Sequence, residues 1–266
     1  MEPWAEVFIQ DLANIGFEAF ELNSNEVYAY IVEGDFKTKS LQEIILGYQG
    51  RMKINYTQEV IIKRNWNKEW ESNFHPVILT NGIGVRAHFH PVPKNIEYDL
   101  IITPKMSFGT GHHDTTRLML TEMMNLDFHG KSVLDVGSGT GILAIMAEKL
   151  SASRIMAIDI EDWAVENAKE NASVNNCHQI VVEKAEIHQV KDISYNVILA
   201  NINYNVIMND LQSYSERLSG GGDLLLSGFL KKEIEEIVNA AKQYGISLKN
   251  HRLSGDWALL HLTKTS

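Results

Sequence analysis

The sequence predicts an α/β protein with a Rossmann-like, mostly parallel, doubly wound sheet, preceded by a smaller α+β module. Three observations carry this. The apolar run Val133-Leu-Asp-Val136 enters a glycine cluster at Gly137, Gly139 and Gly141, and residues 142–149 then show helical apolar spacing: strand, tight turn, helix. From residue 131 onward strand-like and helix-like runs alternate, as βαβ units require. Residues 1–62 read differently, as α-β-β-α-β.

Along the chain, Trp4, Val7, Phe8, Leu12 and Ile15 fall at helical spacing, and Gly16 is placed to close that helix. Strands follow over 17–22 and 26–32, joined at Asn23-Ser-Asn25. A helix over 40–48 opens on Ser40 with Glu43 three residues on, a capping box. Arg51 to Ile62 alternates and reads as another strand, so residues 1–62 predict a ferredoxin-like domain whose first strand is either absent or trimmed from the N-terminus. Trp66, Trp70 and Phe74 recur every four residues across 63–75, a linker helix with an aromatic stripe packed on a domain.

The second domain is expected over 76–266. Short strand-like runs between Pro76 and Thr103 are broken by turns at Asn81-Gly82 and Pro91-Val-Pro93. A glycine-rich loop then opens a helix from Arg117 to Leu126. Strands are expected over 132–136, 154–159, 179–183, 196–200 and 223–227, with helices over 142–150, 161–174, 204–218 and 231–243. The last runs, 245–253 and 256–263, meet at Ser254-Gly255 with no helix between them, so they pair as a hairpin and make the sheet edge antiparallel.

Composition narrows the function. With 44% hydrophobic and 22% charged residues, the chain is an ordinary globular protein. No apolar run approaches the ~18 residues of a membrane span, and the acidic start is unlike a signal peptide, so a cytoplasmic protein is expected. The single cysteine, Cys177, excludes an internal disulfide and a cysteine-built zinc site. A net charge of −10 argues against binding duplex nucleic acid through phosphates. Residues 1–50 hold only Lys37 and Lys39 against nine carboxylates, which suits either a solvated surface or the steering of a basic partner.

The glycine turn and Asp159, 22 positions after Gly137, form a nucleoside site: in a βαβ unit that spacing puts a carboxylate at the neighbouring strand tip, where it accepts ribose hydroxyls. Ile142 stands where a dinucleotide fingerprint places its last glycine. That favours S-adenosylmethionine, which brings no pyrophosphate, over a nicotinamide dinucleotide. Ala200-Asn-Ile-Asn-Tyr204 falls at the carboxyl end of the fourth strand. There the Asn201 oxygen is placed to accept an N–H from an amine whose lone pair faces the methyl group. Either Asn201 or Asn203 could instead cap the following helix. His112 and His113 are candidate proton acceptors, with ordering or capping of their loop as the alternative. His88 and His90 have ligand-like spacing but no third partner, so no metal site is assigned.

Lys105-Met-Ser-Phe-Gly-Thr-Gly-His-His-Asp-Thr-Thr116, Val133-Leu-Asp-Val-Gly-Ser-Gly-Thr-Gly141 and Ala200-Asn-Ile-Asn-Tyr204 together resemble the bacterial ribosomal protein L-eleven methyltransferase family. The resemblance implies a class I methyltransferase fold joined by a flexible linker to a ferredoxin-like domain that captures a large-subunit ribosomal protein. It implies S-adenosylmethionine as methyl donor and transfer to lysine side chains and the N-terminal α-amine. The family's donor contacts fall on Thr116, Gly137, Asp159 and Asn201, with Phe108 and Gly109 lining the site. Asp135 and Gly139 of the glycine motif complete the cofactor set, and Asn201 is the expected catalytic residue. The expected state is a monomer that binds neither nucleic acid nor membrane. Three departures stand out: the missing first strand, Asp114 where relatives carry Pro or Glu, and Asn203 where they carry an apolar residue. The rival readings are methylation of another amine, on a nucleobase or small molecule, a nucleotide-binding oxidoreductase, or a donor-binding module without catalysis. An Asn-Pro-Pro-Tyr sequence would have favoured a nucleobase, and both prolines are missing here.

Overall fold

The computed structural model describes residues 4–22, 26–60, 75–79, 82–103, 109–191 and 194–265. The chain divides into two compact units, residues 1–66 and 67–266. The expected turn at 23–25, the linker helix up to residue 74, Asn81 and Phe108 lie outside the described residues.

In the first unit, α1 (Trp4–Asn14) leads to a hairpin of β1 (Ala19–Leu22) and β2 (Val27–Tyr30), a 3-10 turn (Glu33–Asp35) and α2 (Thr38–Gly47). Gly16 ends α1 with φ +103, and its N–H donates to the Ala13 carbonyl at 3.1 Å. Buried Leu12, Phe17 and Leu41 form the core, with Phe8, Phe20, Ile31 and Ile45 packed around them. Tyr48 is buried against Phe8 and donates to the Asp11 carboxylate at 2.7 Å; burial, then that bond, pushes its phenol up to about 12.

Two expectations fail here. Helix α2 starts two residues early, because the Leu41 N–H reaches the Lys37 carbonyl at 3.2 Å; Ser40 therefore sits inside the first turn, where it cannot cap. Residues 52–60 form no strand, and the sheet of this unit has two strands. Alternation states which side chains face a core, but it does not decide whether a backbone partner lies alongside, and the outer edges of β1 and β2 are not paired with this stretch.

The second unit opens with a small sheet of β3 (Val77–Ile78), β4 (Ile83–Arg86) and β5 (Tyr98–Ile101), in which β4 pairs antiparallel with β3 and parallel with β5. Helix α3 (Asp114–Met123) starts three residues before the expected Arg117, because the His113 side chain accepts the Thr115 N–H and caps it. The elements β6 (Ser132–Val136), α4 (Ile142–Lys149), β7 (Arg154–Asp159), α5 (Asp162–Val174) and β8 (Ile180–Lys184) follow. They lead to β9 (Tyr195–Asn201), α6 (Tyr204–Arg217), β10 (Leu218–Leu230), α7 (Ile234–Lys242), β11 (Ile246–Ser254) and β12 (Trp257–Lys264). Pairing to β9 and β12 stretches β10 well past the expected 223–227 and through four glycines, with a register shift between Leu218 and Asp223.

The seven-stranded order is β8-β7-β6-β9-β10-β12-β11. Strands β8, β7, β6, β9 and β10 are parallel, and β12 runs antiparallel between β10 and β11, as the C-terminal hairpin requires. Both faces of the sheet centre are covered, so β6, β9, β10 and β12 are largely apolar on both sides, whereas the edge strands β8 and β11 expose polar residues. Val133, Val197, Leu199, Leu225 and Leu259 face one core cluster, with α3, α4 and α5; Leu134, Ile198, Ala200, Leu224 and Leu260 face the other, with α6 and α7.

Candidate active site

The strand order reverses between β6 and β9, and in an open α/β sheet such a switch point opens a crevice beyond the carboxyl ends of the strands. The turn leaving β6 is held there by backbone. The Gly137 and Ser138 N–H groups both donate to the Ile158 carbonyl, at 2.9 and 3.0 Å, and Gly141 N–H donates to Ser138 at 2.7 Å. Gly137, Gly139 and Gly141 take φ of +69, +54 and +76. Gly137 is expected from the motif to lie against a ligand. The structure shows a nearer reason as well: a Cβ there would lie 2.3 Å from the Ile202 side chain.

Asp159 braces this turn. One carboxylate oxygen accepts the Gly139 N–H at 2.9 Å and the other the Glu161 N–H at 3.1 Å, leaving each a lone pair for a ligand hydroxyl. Asp135 shares its strand face with Val133, which turns it toward α4, where it accepts the Ala144 N–H at 3.1 Å. It is fully buried, and burial pushes its carboxyl up to about 7. Its second oxygen and the Ser138 hydroxyl are buried with no partner among the described residues.

Across the switch point, Asn201 ends β9. Its Nδ2 donates to the Thr116 hydroxyl at 3.4 Å, and its Oδ1 is buried without a partner among the described residues. Thr116 is fully buried on α3, so the His113 cap that fixes where α3 begins also sets this contact. Asn203 has the other role considered for this motif: it caps α6, accepting the Val206 N–H at 3.2 Å. Between the two, the Ile202 backbone is clamped. Its N–H donates to the Ser227 carbonyl at 3.1 Å, and a Cβ on Gly228 would lie 2.2 Å from its oxygen.

Gly109 (φ +104) accepts the Thr140 hydroxyl at 2.7 Å, so the loop before α3 is tied to the glycine turn. His112 contacts the Thr110 hydroxyl at 3.1 Å and the His75 carbonyl at 2.9 Å, and His113 lies edge-on to Trp257. Both histidines thus order this loop, the alternative to their role as bases. His90 accepts the Ala87 N–H at 3.2 Å, and no group of three metal-ligating side chains occurs among the described residues. Cys177 follows the end of α5, its thiol pushed up to about 11 mainly by burial. Sequence reasoning missed Thr140 and Ile202. A threonine between two glycines of the motif was the only local hint of the first, and the second had none.

This sheet order and this switch-point site define a class I methyltransferase fold. A model of the ribosomal protein L11 methyltransferase (PrmA) family matches residues 9–265. The chain belongs to that family. It is 39% identical over 269 residues to the ribosomal protein L11 methyltransferase of Porphyromonas gingivalis, covering all of this chain and 93% of that protein. The protein of the same name from Phocaeicola vulgatus is 38% identical over 247 residues, 92% of this chain and 88% of that one. A crystal structure of ribosomal protein L11 methylase from Lactobacillus delbrueckii subsp. bulgaricus matches with a TM-score of 0.66 and 27% identity. That match covers 73% of this chain and all of the other.

Proposed function

We propose that this protein transfers methyl groups from S-adenosylmethionine to amines of ribosomal protein L11, at lysine side chains and the N-terminal α-amine. The buried, unpartnered Oδ1 of Asn201 at the switch point carries the reading. Family membership supports the donor and the protein substrate.

The residues fit the donor. Gly137 and Gly139 present bare backbone, Asp159 retains acceptor capacity for ribose hydroxyls, and the Ser138 hydroxyl and second Asp135 oxygen are buried polar atoms in want of partners. When bound, S-adenosylmethionine supplies an electrophilic methyl on a sulfonium. Asn201 does the rest of the orienting: Thr116 holds its amide nitrogen, so the oxygen is left to accept one N–H of a neutral amine and turn the nitrogen lone pair toward the methyl group. Presenting a neutral lysine at pH 7 costs roughly 4.6 kcal/mol, and an α-amine about 1 kcal/mol. Desolvation in the crevice and the adjacent sulfonium charge both favour the neutral form. Deprotonation can precede binding, so no general base is needed, in keeping with the ordering roles of His112 and His113.

We assign the acidic first unit to capture of the basic ribosomal protein, and expect a cytoplasmic monomer. No helix among the described residues is long and apolar enough to cross a membrane. Incubation with labelled donor and free L11, followed by mass spectrometry, is expected to show methylated lysines and α-amine. Label retained on the donor would refute the activity, and label on an added nucleobase or small amine would reassign the acceptor.

A further inference from the structure

Helix α5 carries asparagines at 167 and 171, and Asn175 is its C-cap; the three lie one turn apart and all are buried. Asn175 completes the free edge of β5, accepting the Ile101 N–H at 2.9 Å and donating to the Ile101 carbonyl at 2.6 Å. Asn171 does something else. Its oxygen accepts the Thr103 N–H at 2.8 Å, while its nitrogen donates to the Thr140 carbonyl, inside the glycine turn, at 2.9 Å. Thr140 in turn donates its hydroxyl to the Gly109 carbonyl at 2.7 Å. Thr103 and Gly109 flank residues 104–108, the stretch of sequence that holds Phe108. Both flanks are thus bonded to the turn through one pair of side chains.

We infer that Asn171, acting through Thr140, is a positioning residue that fixes both flanks of the 104–108 segment to the glycine turn. Donor binding on the turn and the positions of Thr103 and Gly109 are thereby set together. The inference rests on the donor reading above. The chemistry is specific: one group must accept an N–H on one side and donate to a carbonyl on the other, and the side-chain amide of asparagine is a short group that does both. Aspartate lacks the donor, and leucine would leave Thr103 N–H and the Thr140 carbonyl unsatisfied in a buried place. Gly109 fits the same device, since a Cβ there would lie 2.6 Å from the Thr140 hydroxyl oxygen.

Asn175 supplies the control, because its side chain bonds the Ile101 backbone and the Asn171 carbonyl but not Thr103, Gly109 or the glycine turn. The test compares the full-length protein with Asn171→Ala, Asn175→Ala, Thr140→Val and Thr140→Ser. Each is measured for Tm, for S-adenosylmethionine affinity by calorimetry, and for kcat and KM of methyl transfer. Asn175→Ala is expected to lower Tm while donor affinity and kcat stay within about twofold of the starting protein. Asn171→Ala and Thr140→Val are each expected to weaken donor binding about tenfold, the effect of one lost buried hydrogen bond, and to lower kcat as well. Thr140→Ser, which keeps the hydroxyl, should recover most of what Thr140→Val loses. Should Asn171→Ala fail to fold, the Thr140 pair decides alone. Equal loss of Tm in Asn171→Ala and Asn175→Ala, with donor affinity and kcat unchanged in both, would overturn the positioning role. An unsubstituted protein that gives no heat with the donor would overturn the functional reading first, and this inference with it.

Discussion

The carboxyl end of β9 and the amino end of α6 lie two residues apart, and each presents an asparagine. Asn203 precedes the helix by one residue in extended conformation, so its oxygen meets the Val206 N–H and is consumed as a cap. Asn201 is still on the strand, out of reach of those helix donors, and its nitrogen is taken by Thr116 from a different element. Its oxygen therefore stays buried with no partner among the described residues. The same residue type is spent as a helix cap in one place and keeps an unpartnered oxygen in the other, which is the atom the proposed function uses. The difference lies in which backbone donors are near, and it is enforced by Ile202, clamped between Gly137 and Gly228.

The largest expected effect separates the two ends directly. Asn201→Ala should lower the single-turnover methyl-transfer rate by about 10²-fold or more, the scale of losing one orienting hydrogen bond at the reacting atoms, with donor affinity nearly kept. The loss should be greatest for the first two methyls and least for a third, because a dimethylated neutral amine has no N–H to give. Mass spectrometry of partly methylated product would expose a uniform loss, which contradicts the assigned role.

Gly137→Ala strikes both asparagines at once. A Cβ at φ +69 and 2.3 Å from the Ile202 side chain should cost about 2–4 kcal/mol in urea unfolding and weaken donor binding and transfer together. A stable variant with normal donor affinity would mean that Ile202 is free to shift and that the clamp is illusory.

Asp135→Asn probes the ground beneath the turn without touching either asparagine. Because burial raises the Asp135 carboxyl to about 7, the folded protein binds more protons than the unfolded chain between the ordinary carboxylate range and pH 7. Stability from this group is therefore lost as pH rises through that window, by at most about 1.4 kcal/mol per pH unit, and is flat above it. The substitution should remove this slope from unfolding curves recorded between pH 5 and 8. An unchanged slope would show that other groups produce it.

The smallest effect completes the comparison. Asn203→Ala should cost about 1 kcal/mol of stability through loss of the α6 cap, with kcat unaltered. If kcat fell as far as in Asn201→Ala, the division of labour between the two residues would be wrong.

Much of the site was readable because its signals are local. The glycine turn follows an apolar strand, Asp159 ends the next strand at the spacing a βαβ unit imposes, and Asn201 closes the fourth. Thr140 and Asn171 were not readable, since their partners Gly109 and Thr103 lie 31 and 68 positions away. The alternating stretch after residue 51 misled for a related reason: its pattern was right for a strand, but residues 52–60 pair with none.

By itself, then, the amino-acid sequence determined the alternation of elements, the acid-rich first unit, the turn and the set of side chains from which a site could be drawn. Periodicity, capping and turn chemistry act within a few residues, so they can be read without a fold. Only the tertiary structure decided which asparagine keeps an oxygen to spare, which side chain forces Gly137 to be glycine, and how both flanks of residues 104–108 reach the turn. Those are choices between partners far apart along the chain, and strand order and burial settle them.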